Sequence, residues 1–352
     1  MSIAFKSYHL PLAVPYRWAK GVQRFRGGLI VRAAIGGEVG WGEVALPPHV
    51  EMPLAAQVAS AEAIVAGLDP MSDAFLDELE LRECPARLRC GIATAVLDAR
   101  ARLHGVSLAS LCAPDRAVAA RVPVNELVGD ADPEACAERA RATVARGQDT
   151  IKVKCTPERE LDLARVRAIR DAAPAARIRL DPNESWSPDW AASHLEAMAR
   201  FRIEYCEEPL PRGTPLAAYA ELRRNTRVPI ALDDSARSRF HVERIIELGA
   251  ADALVLKAPR VGGPDRVAEI VRLAESAGLS CTITASLETS VGLYVALHCA
   301  AFTAEPIAPA GIGTARFFAR NVGPPPEIVD GAMELPNGPG LGFAPDGWWN
   351  AA

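Results

Sequence analysis

Lys152 and Lys154 lie two positions apart in a short run that also contains Ile151 and Val153. Alternate side chains of a β-strand point to the same face, so both ammonium groups share one face and the two aliphatic side chains share the other. The flanking sequence is apolar and leads into a helical stretch, which favours a central strand over a solvated edge strand. Crowding two cations lowers the pKa of at least one of them. We therefore expect a lysine here that acts as a base near neutral pH.

Three acidic residues end later β-branched runs, namely Asp181, Glu207 and Asp233. Any one of them alone could cap a helix or lie in a loop. Three carboxylates brought together repel one another unless a cation lies among them, and carboxylate oxygens suit Mg²⁺, with Mn²⁺ as an alternative. The three acids together therefore predict a divalent-metal site. Their neighbours Glu208 and Asp234 point away from the first acid of each pair, so we expect them to support the ligands from behind or to form ion pairs.

A further lysine, Lys257, ends the apolar run that begins at Ala253. Burying a lysine that has no role is costly, so we expect Lys257 to face the metal from the side opposite Lys154. A substrate carboxylate on the metal would then hold its α-carbon between two lysines. One lysine takes the α-proton while the metal stabilises the enediolate that forms. Proton abstraction next to a carboxylate is thus the chemistry that these residues predict.

The intervals between these residues are nearly constant, 27 from Lys154 to Asp181, 26 to Glu207, 26 to Asp233 and 24 to Lys257. From about residue 120, each β-branched run precedes an amphipathic stretch, which predicts parallel strands joined by crossover helices. A doubly wound open sheet gives the same alternation but usually concentrates function at one switch point. Charged residues at successive strand ends favour a closed (β/α)8 barrel, whose strands all end at one mouth. The predicted strands are 122–127, 150–155, 177–181, 202–207, 229–233, 253–257, 280–286 and 305–310.

The chain before about residue 115 follows a different pattern. Short alternating runs at 3–5 and 29–35, with glycines after the second run, predict a small antiparallel sheet. Ala-rich stretches at 54–68 and 90–104 have helical periodicity. This region is therefore predicted to be an α+β domain. The Pro/Gly-rich stretch from about residue 321 is expected to pack back onto it.

Composition limits the class of protein. The 352 residues are 49% hydrophobic and 24% charged, which is typical of a globular chain. A net charge of −5 gives no general attraction for phosphate backbones or anionic membranes, so we expect neither partner. The eight cysteines form no C-x-x-C pair and are expected to be buried thiols in a reducing compartment. Since the sequence shows no signal-peptide pattern and no long apolar run, we expect a soluble cytoplasmic protein.

The charged residues resemble, in order and spacing, the motifs of the enolase superfamily and of its muconate-lactonizing (muconate cycloisomerase) subgroup, and the likeness covers nearly the whole chain. The matching residues are Lys152, Lys154, Asp181, Glu207, Asp233 and Lys257. The resemblance implies an α/β fold, a modified TIM barrel (β/α)7β with an α+β capping domain formed by the N-terminal region and the C-terminal tail. We place the capping region at 1–117, the barrel at 118–320 and the tail at 321–352.

The resemblance also implies roles for these residues. Mg²⁺ would be held by the three acids, Lys154 and Lys257 would be the acid/base pair, and Lys152 would tune Lys154 and contact the substrate carboxylate. The superfamily often forms homo-oligomers, so we expect one here. The mandelate-racemase subgroup is disfavoured because its seventh strand supplies a histidine, whereas this chain has none at 282–288 and His298 comes too late.

The reaction within the subgroup is narrowed by two stretches, 286–293 and 311–319, which resemble the o-succinylbenzoate synthases, a dehydratase family. Dipeptide epimerases carry Asp-x-Asp on the last strand, and residues 306–313 contain no acid. N-succinylamino acid racemases and muconate cycloisomerases share the catalytic set. We therefore expect dehydration of a small carboxylate, while racemisation of an N-acylamino acid and cycloisomerisation stay open as alternatives.

Substrate contacts are expected from both parts of the chain. The loop at 16–28 should close over the substrate, and its cations Arg17, Lys20, Arg24 and Arg26 are candidates for binding a distal carboxylate. Among them we select Arg24. From the barrel we expect Asn183, Ser286 and Gly313 to contact substrate.

Overall fold

The computed structural model of the chain describes residues 2–18, 21–47, 53–129 and 132–351, with 16–18 and 21 described by their backbone alone. In the N-terminal region, antiparallel strands pair in the order β1-β2-β3, and helices pack against this sheet. The predicted antiparallel sheet and the two predicted helices are therefore present. The elements are β1 (Ser2–Trp18), β2 (Gly21–Ile35), β3 (Glu38–Ala45), α1 (Leu54–Val65), α2 (Phe75–Leu81), α3 (Ala86–Leu103) and α4 (Leu108–Cys112).

Helix α3 lies directly on the backbone of β3. A Cβ atom at Gly40 would lie 2.1 Å from the Ala95 carbonyl oxygen, and one at Gly42 would lie 2.0 Å from that of Gly91. Glycine is required at both positions because any side chain would force the helix away from the strand. The core beside this contact is apolar and contains Leu29, Val31, Phe75, Ile92 and Val96.

Most of the rest of the chain forms a parallel sheet whose strands, β5 to β11, are neighbours in sequence order, while β4 and β12 form a separate antiparallel pair. Residues 310–311 close the ring, because the Gly311 amide donates to the Ile283 carbonyl oxygen at 2.9 Å and the Ala310 amide donates to that of Pro123 at 2.8 Å. The predicted strand at 305–310 is thus a short bridge, and the predicted strand at 122–127 is divided in two. The strands are β4 (Arg121–Pro123), β5 (Glu126–Val128), β6 (Thr150–Lys154), β7 (Arg177–Asp181), β8 (Ile203–Glu207), β9 (Ile230–Leu232), β10 (Ala253–Leu256), β11 (Ser280–Ile283) and β12 (Ala332–Glu334).

The helices of the barrel begin at residues that suit helix starts. Asp132, Ser187 and Ser238 each accept a hydrogen bond from a first-turn amide of the helix that follows. None of the described helices has the length and apolar composition needed to cross a membrane. The helices are α5 (Pro133–Ala145), α6 (Arg159–Ala172), α7 (Pro188–Met198), α8 (Leu216–Asn225), α9 (Arg239–Leu248), α10 (Ala258–Val261), α11 (Pro264–Ser276), α12 (Ser290–Ala301) and α13 (Asp346–Asn350).

The C-terminal tail packs on the N-terminal region. The Lys6 ammonium donates to the Trp349 carbonyl oxygen at 2.9 Å, and the Leu341 amide donates to the Asp98 carboxylate at 2.7 Å. The Trp41 and Trp349 rings meet edge to face with their centroids 5.2 Å apart. The tail therefore contributes to the capping domain, as expected.

Candidate active site

Five charged residues stand at the carboxyl ends of five adjacent barrel strands. Lys154, Asp181 and Glu207 end β6, β7 and β8, while Asp233 and Lys257 directly follow β9 and β10. Because these strands are neighbours in that order, the three acids lie in the middle of an arc and a lysine lies at each end. We call these five residues the charged arc.

The acids of the charged arc are buried and paired with lysines. The Lys152 ammonium lies 2.8 Å from Asp181 Oδ2 and 2.5 Å from Glu207 Oε2, so it bridges two strands. Lys154 pairs with the same Asp181 oxygen, and Lys257 pairs with Asp233 at the other end. The structure therefore brings together all six residues that carry the sequence prediction.

The pKa of Lys152 is set by the acids around it. Burial lowers the pKa of its ammonium, but the carboxylates of Asp181 and Glu207 outweigh burial and raise it. The sequence predicts a lowered pKa for at least one of the two lysines, and Lys152 is not that lysine, because two acids lie close to it. Lys152 keeps its proton and acts as a fixed positive charge.

The acids respond to their partners in opposite ways. Burial raises the pKa of Asp181, but Lys152 and Lys154 outweigh it and hold that pKa far below its usual range. Burial likewise raises the pKa of Asp233, and Lys257 outweighs it so that the pKa falls. For Glu207 burial prevails and the pKa is raised. The two aspartates at the sides of the acid group are therefore held as anions.

The acid group suits a divalent cation in its chemistry. Asp181, Glu207 and Asp233 offer buried carboxylate oxygens, the ligands that Mg²⁺ prefers. Asp233 Oδ1 is buried and finds no hydrogen-bond partner among the described residues. Within that part of the chain, no three His, Cys, Asp or Glu side chains stand as a ready metal cluster, and the Lys152 ammonium bridges Asp181 and Glu207. The donor set thus fits Mg²⁺, which would compete with that ammonium for the carboxylates.

Glu208 and Asp234 directly follow two acids of the arc and border the same cavity. Burial raises the pKa of Glu208 to about 7. Its carboxylate accepts hydrogen bonds from the Asp233 amide at 2.8 Å and from the Ser235 hydroxyl at 2.5 Å. Asp234 pairs with the Arg260 guanidinium. Glu208 therefore holds the backbone that carries Asp233, and Asp234 forms an ion pair at the rim.

A cavity of about 820 Å³ lies between the barrel mouth and the N-terminal sheet. The charged arc lines one part of it, and Leu29, Val44, Leu46 and Leu88 of the N-terminal region line another. Of the residues predicted to contact substrate, the barrel residues border this cavity, namely Asn183, Ser286 and Gly313. The cavity therefore offers a charged end for a carboxylate and an apolar part for a distal group.

Arg24 is not brought to the cavity. Its side chain is exposed and is not among the described residues that line the cavity, whereas Arg26 is. The β1–β2 register shifts between the pairs formed by Gln23 and Phe25, and Arg24 lies at that irregularity, where the alternation of strand faces is interrupted. Lys20 and the side chain of Arg17 lie outside the described residues.

Arg26 is already engaged by the barrel. Its buried guanidinium donates to the carbonyl oxygens of Leu287 and Ser286, each at 3.0 Å. Leu287 has a φ of +65°, a backbone conformation that non-glycine residues rarely adopt. Arg26 therefore fixes the loop that presents Ser286 to the cavity, and the Ser286 hydroxyl is buried with no partner in the described part of the chain.

Glu43 is a further residue of the domain contact that the sequence analysis did not find. It is buried in β3, and its carboxylate accepts from the Thr289 amide at 3.0 Å, the Thr289 hydroxyl at 2.6 Å and the Gly292 amide at 2.9 Å. The Tyr8 hydroxyl adds a bond at 2.6 Å. Glu43 thus caps α12 across the domain boundary. The signal that could have found Glu43 is an acid within an apolar run, the same kind of signal that singled out Lys257.

A ring of parallel strands ending in lysine, three acids and lysine, with a separate antiparallel sheet beside its mouth, defines a barrel of the enolase type. A family model described as enolase C-terminal domain-like matches residues 135–349. The chain belongs to that family. The expected superfamily and the expected barrel with a capping domain are thereby confirmed.

Known proteins agree on the family and differ in their reactions. An o-succinylbenzoate synthase of Thermobifida fusca is 38% identical over 205 residues, which are 57% of this chain and 62% of that protein, so the match spans less than two thirds of this relative. Other curated relatives are named muconate cycloisomerase and hydrophobic dipeptide epimerase. The names indicate an enzyme family with more than one reaction.

Solved structures match over nearly the whole chain. A mandelate racemase/muconate lactonizing protein of Herpetosiphon aurantiacus has a TM-score of 0.87 at 26% identity and covers 97% of this chain and 96% of its own. A dipeptide epimerase of Cytophaga hutchinsonii, complexed with Mg and the dipeptide D-Ala-L-Val, has a TM-score of 0.85 at 25% identity and covers 96% and 94%. These matches include the capping region as well as the barrel.

Proposed function

We propose that the protein is a Mg²⁺-dependent enzyme that removes a proton next to a substrate carboxylate, and that its reaction is the dehydration catalysed by o-succinylbenzoate synthases. The observation that carries this proposal is the charged arc. Two lysines enclose three buried acids at the mouth of one barrel, where a single small carboxylate can reach all of them.

Asp181, Glu207 and Asp233 would hold Mg²⁺. When bound, the cation supplies positive charge beside the substrate carboxylate and stabilises the negative charge that develops there as the α-proton leaves. The buried Asp233 oxygen without a hydrogen-bond partner supports this assignment. The Mg in the Cytophaga hutchinsonii epimerase supports it for a relative with the same fold.

Lys154 takes the α-proton onto its Nζ. Its position next to Asp181 and 3.1 Å from Asn183 Oδ1 holds that nitrogen at the edge of the cavity. Lys152 keeps its own proton and offers a positive charge to the substrate carboxylate. The electrons of the broken Cα–H bond form the new carbon–carbon double bond as the C–O bond of the neighbouring carbon breaks. The proton held on Lys154 passes to the departing hydroxide, which leaves as water, and Lys257 supplies positive charge from the other end of the arc.

The choice of dehydration rests on what borders the cavity. Both stretches that resemble o-succinylbenzoate synthases contribute to it, with Ser286 and Leu287 from one and Gly311 and Thr314 from the other. Residues 306–313 contain no acid that could bind the ammonium of a dipeptide. The o-succinylbenzoate synthase of Thermobifida fusca, 38% identical over 205 residues, also favours dehydration.

Ultraviolet monitoring of the cyclohexadiene precursor of o-succinylbenzoate tests this proposal. We expect Mg²⁺-dependent loss of the precursor that EDTA stops. Lys154→Ala should remove turnover while Mg²⁺ binding, followed by calorimetry, persists. Turnover by the Lys154→Ala variant, or turnover that is indifferent to EDTA, would contradict the proposal.

A second candidate is racemisation of N-succinylamino acids. The observation that favours it is the lysine at each end of the charged arc, since a racemase needs a proton donor on either side of the α-carbon. Incubation of single enantiomers in D₂O should then give inverted product with deuterium at the α-carbon. Absence of exchange, together with no loss of the cyclohexadiene, would move the reaction to muconate-type cycloisomerisation.

A further inference from the structure

We propose that Asp162 and Arg165, a buried ion pair on α6 outside the barrel, are positioning residues for Lys154. They hold the end of β6 and thereby set the direction in which the Lys154 side chain enters the cavity. The proposal rests on the proposed function, because it assigns the pair to one of the two acid/base lysines.

The pair is completely enclosed and bonded to the backbone of Lys154. The side chains of Arg165 and Asp162 are 1% and 0% exposed. Arg165 Nη1 donates to Asp162 Oδ1 at 2.9 Å and to the Lys154 carbonyl oxygen at 2.9 Å. The carbonyl that ends the strand is therefore fixed by a charged donor with no competing water.

Asp162 fixes the chain on the other side of Cys155. Its Oδ2 accepts from the Thr156 amide at 2.9 Å and its Oδ1 from the Thr156 hydroxyl at 3.2 Å. The Cys155 amide donates to the Asp181 carbonyl oxygen at 2.9 Å. The peptide groups on both sides of Cys155 are thus held, and the backbone turn that follows Lys154 has no freedom to rotate.

The location of the pair argues for positioning rather than for stability. A buried ion pair costs desolvation energy and often contributes less than apolar packing would. The position lies between a helix and a strand of a barrel, where aliphatic side chains ordinarily pack, as Val166 and Ile169 do on the same helix. The pair instead spends its hydrogen bonds on the residues next to Lys154.

Lys257 is held by a different device. Its carbonyl oxygen accepts from the Arg260 amide at 2.8 Å, so α10 itself fixes it. Neither Asp162 nor Arg165 contacts that segment in the part of the chain that the structure describes. Removing the pair should therefore disturb Lys154 and leave Lys257 in place.

The lysine content of the chain makes this difference measurable without activity. The sequence contains five lysines, Lys6, Lys20, Lys152, Lys154 and Lys257. The full chain labelled with ¹³C at lysine Cε should give one NMR signal for each, assigned by Lys154→Arg and Lys257→Arg. We expect Arg165→Met to shift the Lys154 signal and to leave the Lys257 signal unchanged. Unchanged signals for both lysines would overturn the proposal.

Kinetics give the second readout. Lys154→Ala and Lys257→Ala assign which enantiomer of an N-succinylamino acid loses its α-proton to which lysine in D₂O. We expect Arg165→Met to slow the Lys154-dependent exchange by about tenfold or more, because small displacements of a reacting group are costly, and to change the other exchange by less than about twofold. Wild-type protein that exchanges neither enantiomer contradicts the racemase candidate alone, and the NMR signals then decide the positioning role.

Arg170 provides a matched control on the same helix. Its guanidinium also donates to backbone carbonyls, those of Ala176 at 2.6 Å and Phe201 at 3.1 Å, which precede β7 and β8 at their amino ends. Arg170→Met should lower thermal stability without changing the ratio of the two exchange rates. An equal change of ratio in the two variants would show that Arg165 acts only through stability.

Two milder variants address misfolding of Arg165→Met. Thr156→Val removes the hydroxyl bond to Asp162 and keeps the ion pair, so its ratio should lie between wild type and Arg165→Met. The double variant Arg165→Met with Asp162→Asn removes both charges and leaves no unpaired buried ion. It should reproduce the selective loss at Lys154, and a balanced loss at both lysines would count against the proposal.

Discussion

The two ends of the charged arc carry the same residue in different settings. Lys154 ends a strand whose backbone is held from outside the barrel by Arg165 and Asp162. Lys257 leads straight into α10, and the Arg260 amide of that helix donates to the Lys257 carbonyl oxygen. Lys154 and Lys152 share the Asp181 carboxylate. At the other end, Lys257 and Arg260 share the Asp233 carboxylate. The same functional group is thus fixed by different contacts at the two ends of the arc. Substitutions near one lysine should therefore affect that lysine and leave the other unchanged.

The largest expected effect is the loss of turnover when Lys154 is replaced. Lys154→Ala removes the proposed base, and turnover of the cyclohexadiene should fall by about 10²–10⁴-fold, the range for a positioned general base. Initial rates from ultraviolet absorbance measure this loss. Lys6→Ala is the control, because Lys6 contacts the tail far from the cavity. Equal rates in both variants would remove Lys154 from the mechanism.

Mg²⁺ acts on the acids between the two ends. At 100 times its dissociation constant, Mg²⁺ should raise the free energy of unfolding by about 2.7 kcal/mol. Glu207→Gln should abolish this gain in free energy, since Glu207 lies between the other two acids. The substitution also removes the ion pair between Glu207 and Lys152. Thermal unfolding with and without Mg²⁺ measures it. A gain that survives in Glu207→Gln would place the cation elsewhere.

The pH dependence of stability offers a further comparison, through the buried residue His194. Burial lowers the pKa of His194 to about 4, and the charge of Arg159 adds to this. Since an unfolded histidine titrates near 6.5, the unfolded chain binds more protons between pH 6.5 and 4, and the stability that is present above pH 6.5 is lost as the pH falls towards 4.

His194→Phe should therefore reduce the loss of unfolding free energy between pH 7 and 4.5 by about 2 kcal/mol, measured by urea denaturation. His241→Phe is the control because that ring is exposed. The buried His298, whose pKa burial also lowers to about 4, remains in both variants. The same loss in His194→Phe as in wild type would refute this origin of acid sensitivity.

The smallest expected effect concerns the loop at residues 286–287, which contains neither lysine of the charged arc. Arg26→Met removes both bonds to the 286–287 backbone, so KM should rise by about tenfold, or ~1.4 kcal/mol, with a smaller change in kcat. Arg24→Met should change neither constant by more than about twofold, because Arg24 is exposed and outside the cavity lining. The reverse result would restore Arg24 as the residue that binds substrate.

The charged arc could be predicted from sequence because its regularity is local. Each unit of strand and helix has a similar length, so charges at intervals of 24 to 27 residues must meet at one mouth. The direction of the Lys152 pKa could not be predicted, since it depends on how close Asp181 and Glu207 come from neighbouring strands.

The residues that the sequence did not reveal act across distant parts of the chain. Glu43 caps a helix 246 positions later, and Arg165 bonds a backbone carbonyl that any residue type could offer. Strand alternation places Arg24 and Arg26 on the same face, so it cannot distinguish them. They differ because the β1–β2 register shifts at Arg24, and no local sequence pattern marks that shift. The domain limits at 117 and 320 and the homo-oligomer stay predictions.

The bond between Glu43 and α12 has a consequence for evolution and for engineering. A strand of the capping domain completes the first turn of a barrel helix, so the two domains of this chain are not independent parts. A chimera that joins this capping domain to a foreign barrel must bring donors for Glu43 at the positions of Thr289 and Gly292, or it leaves a buried carboxylate with fewer hydrogen bonds than it makes here. New substrate preferences should therefore arise through paired changes on both sides of this contact.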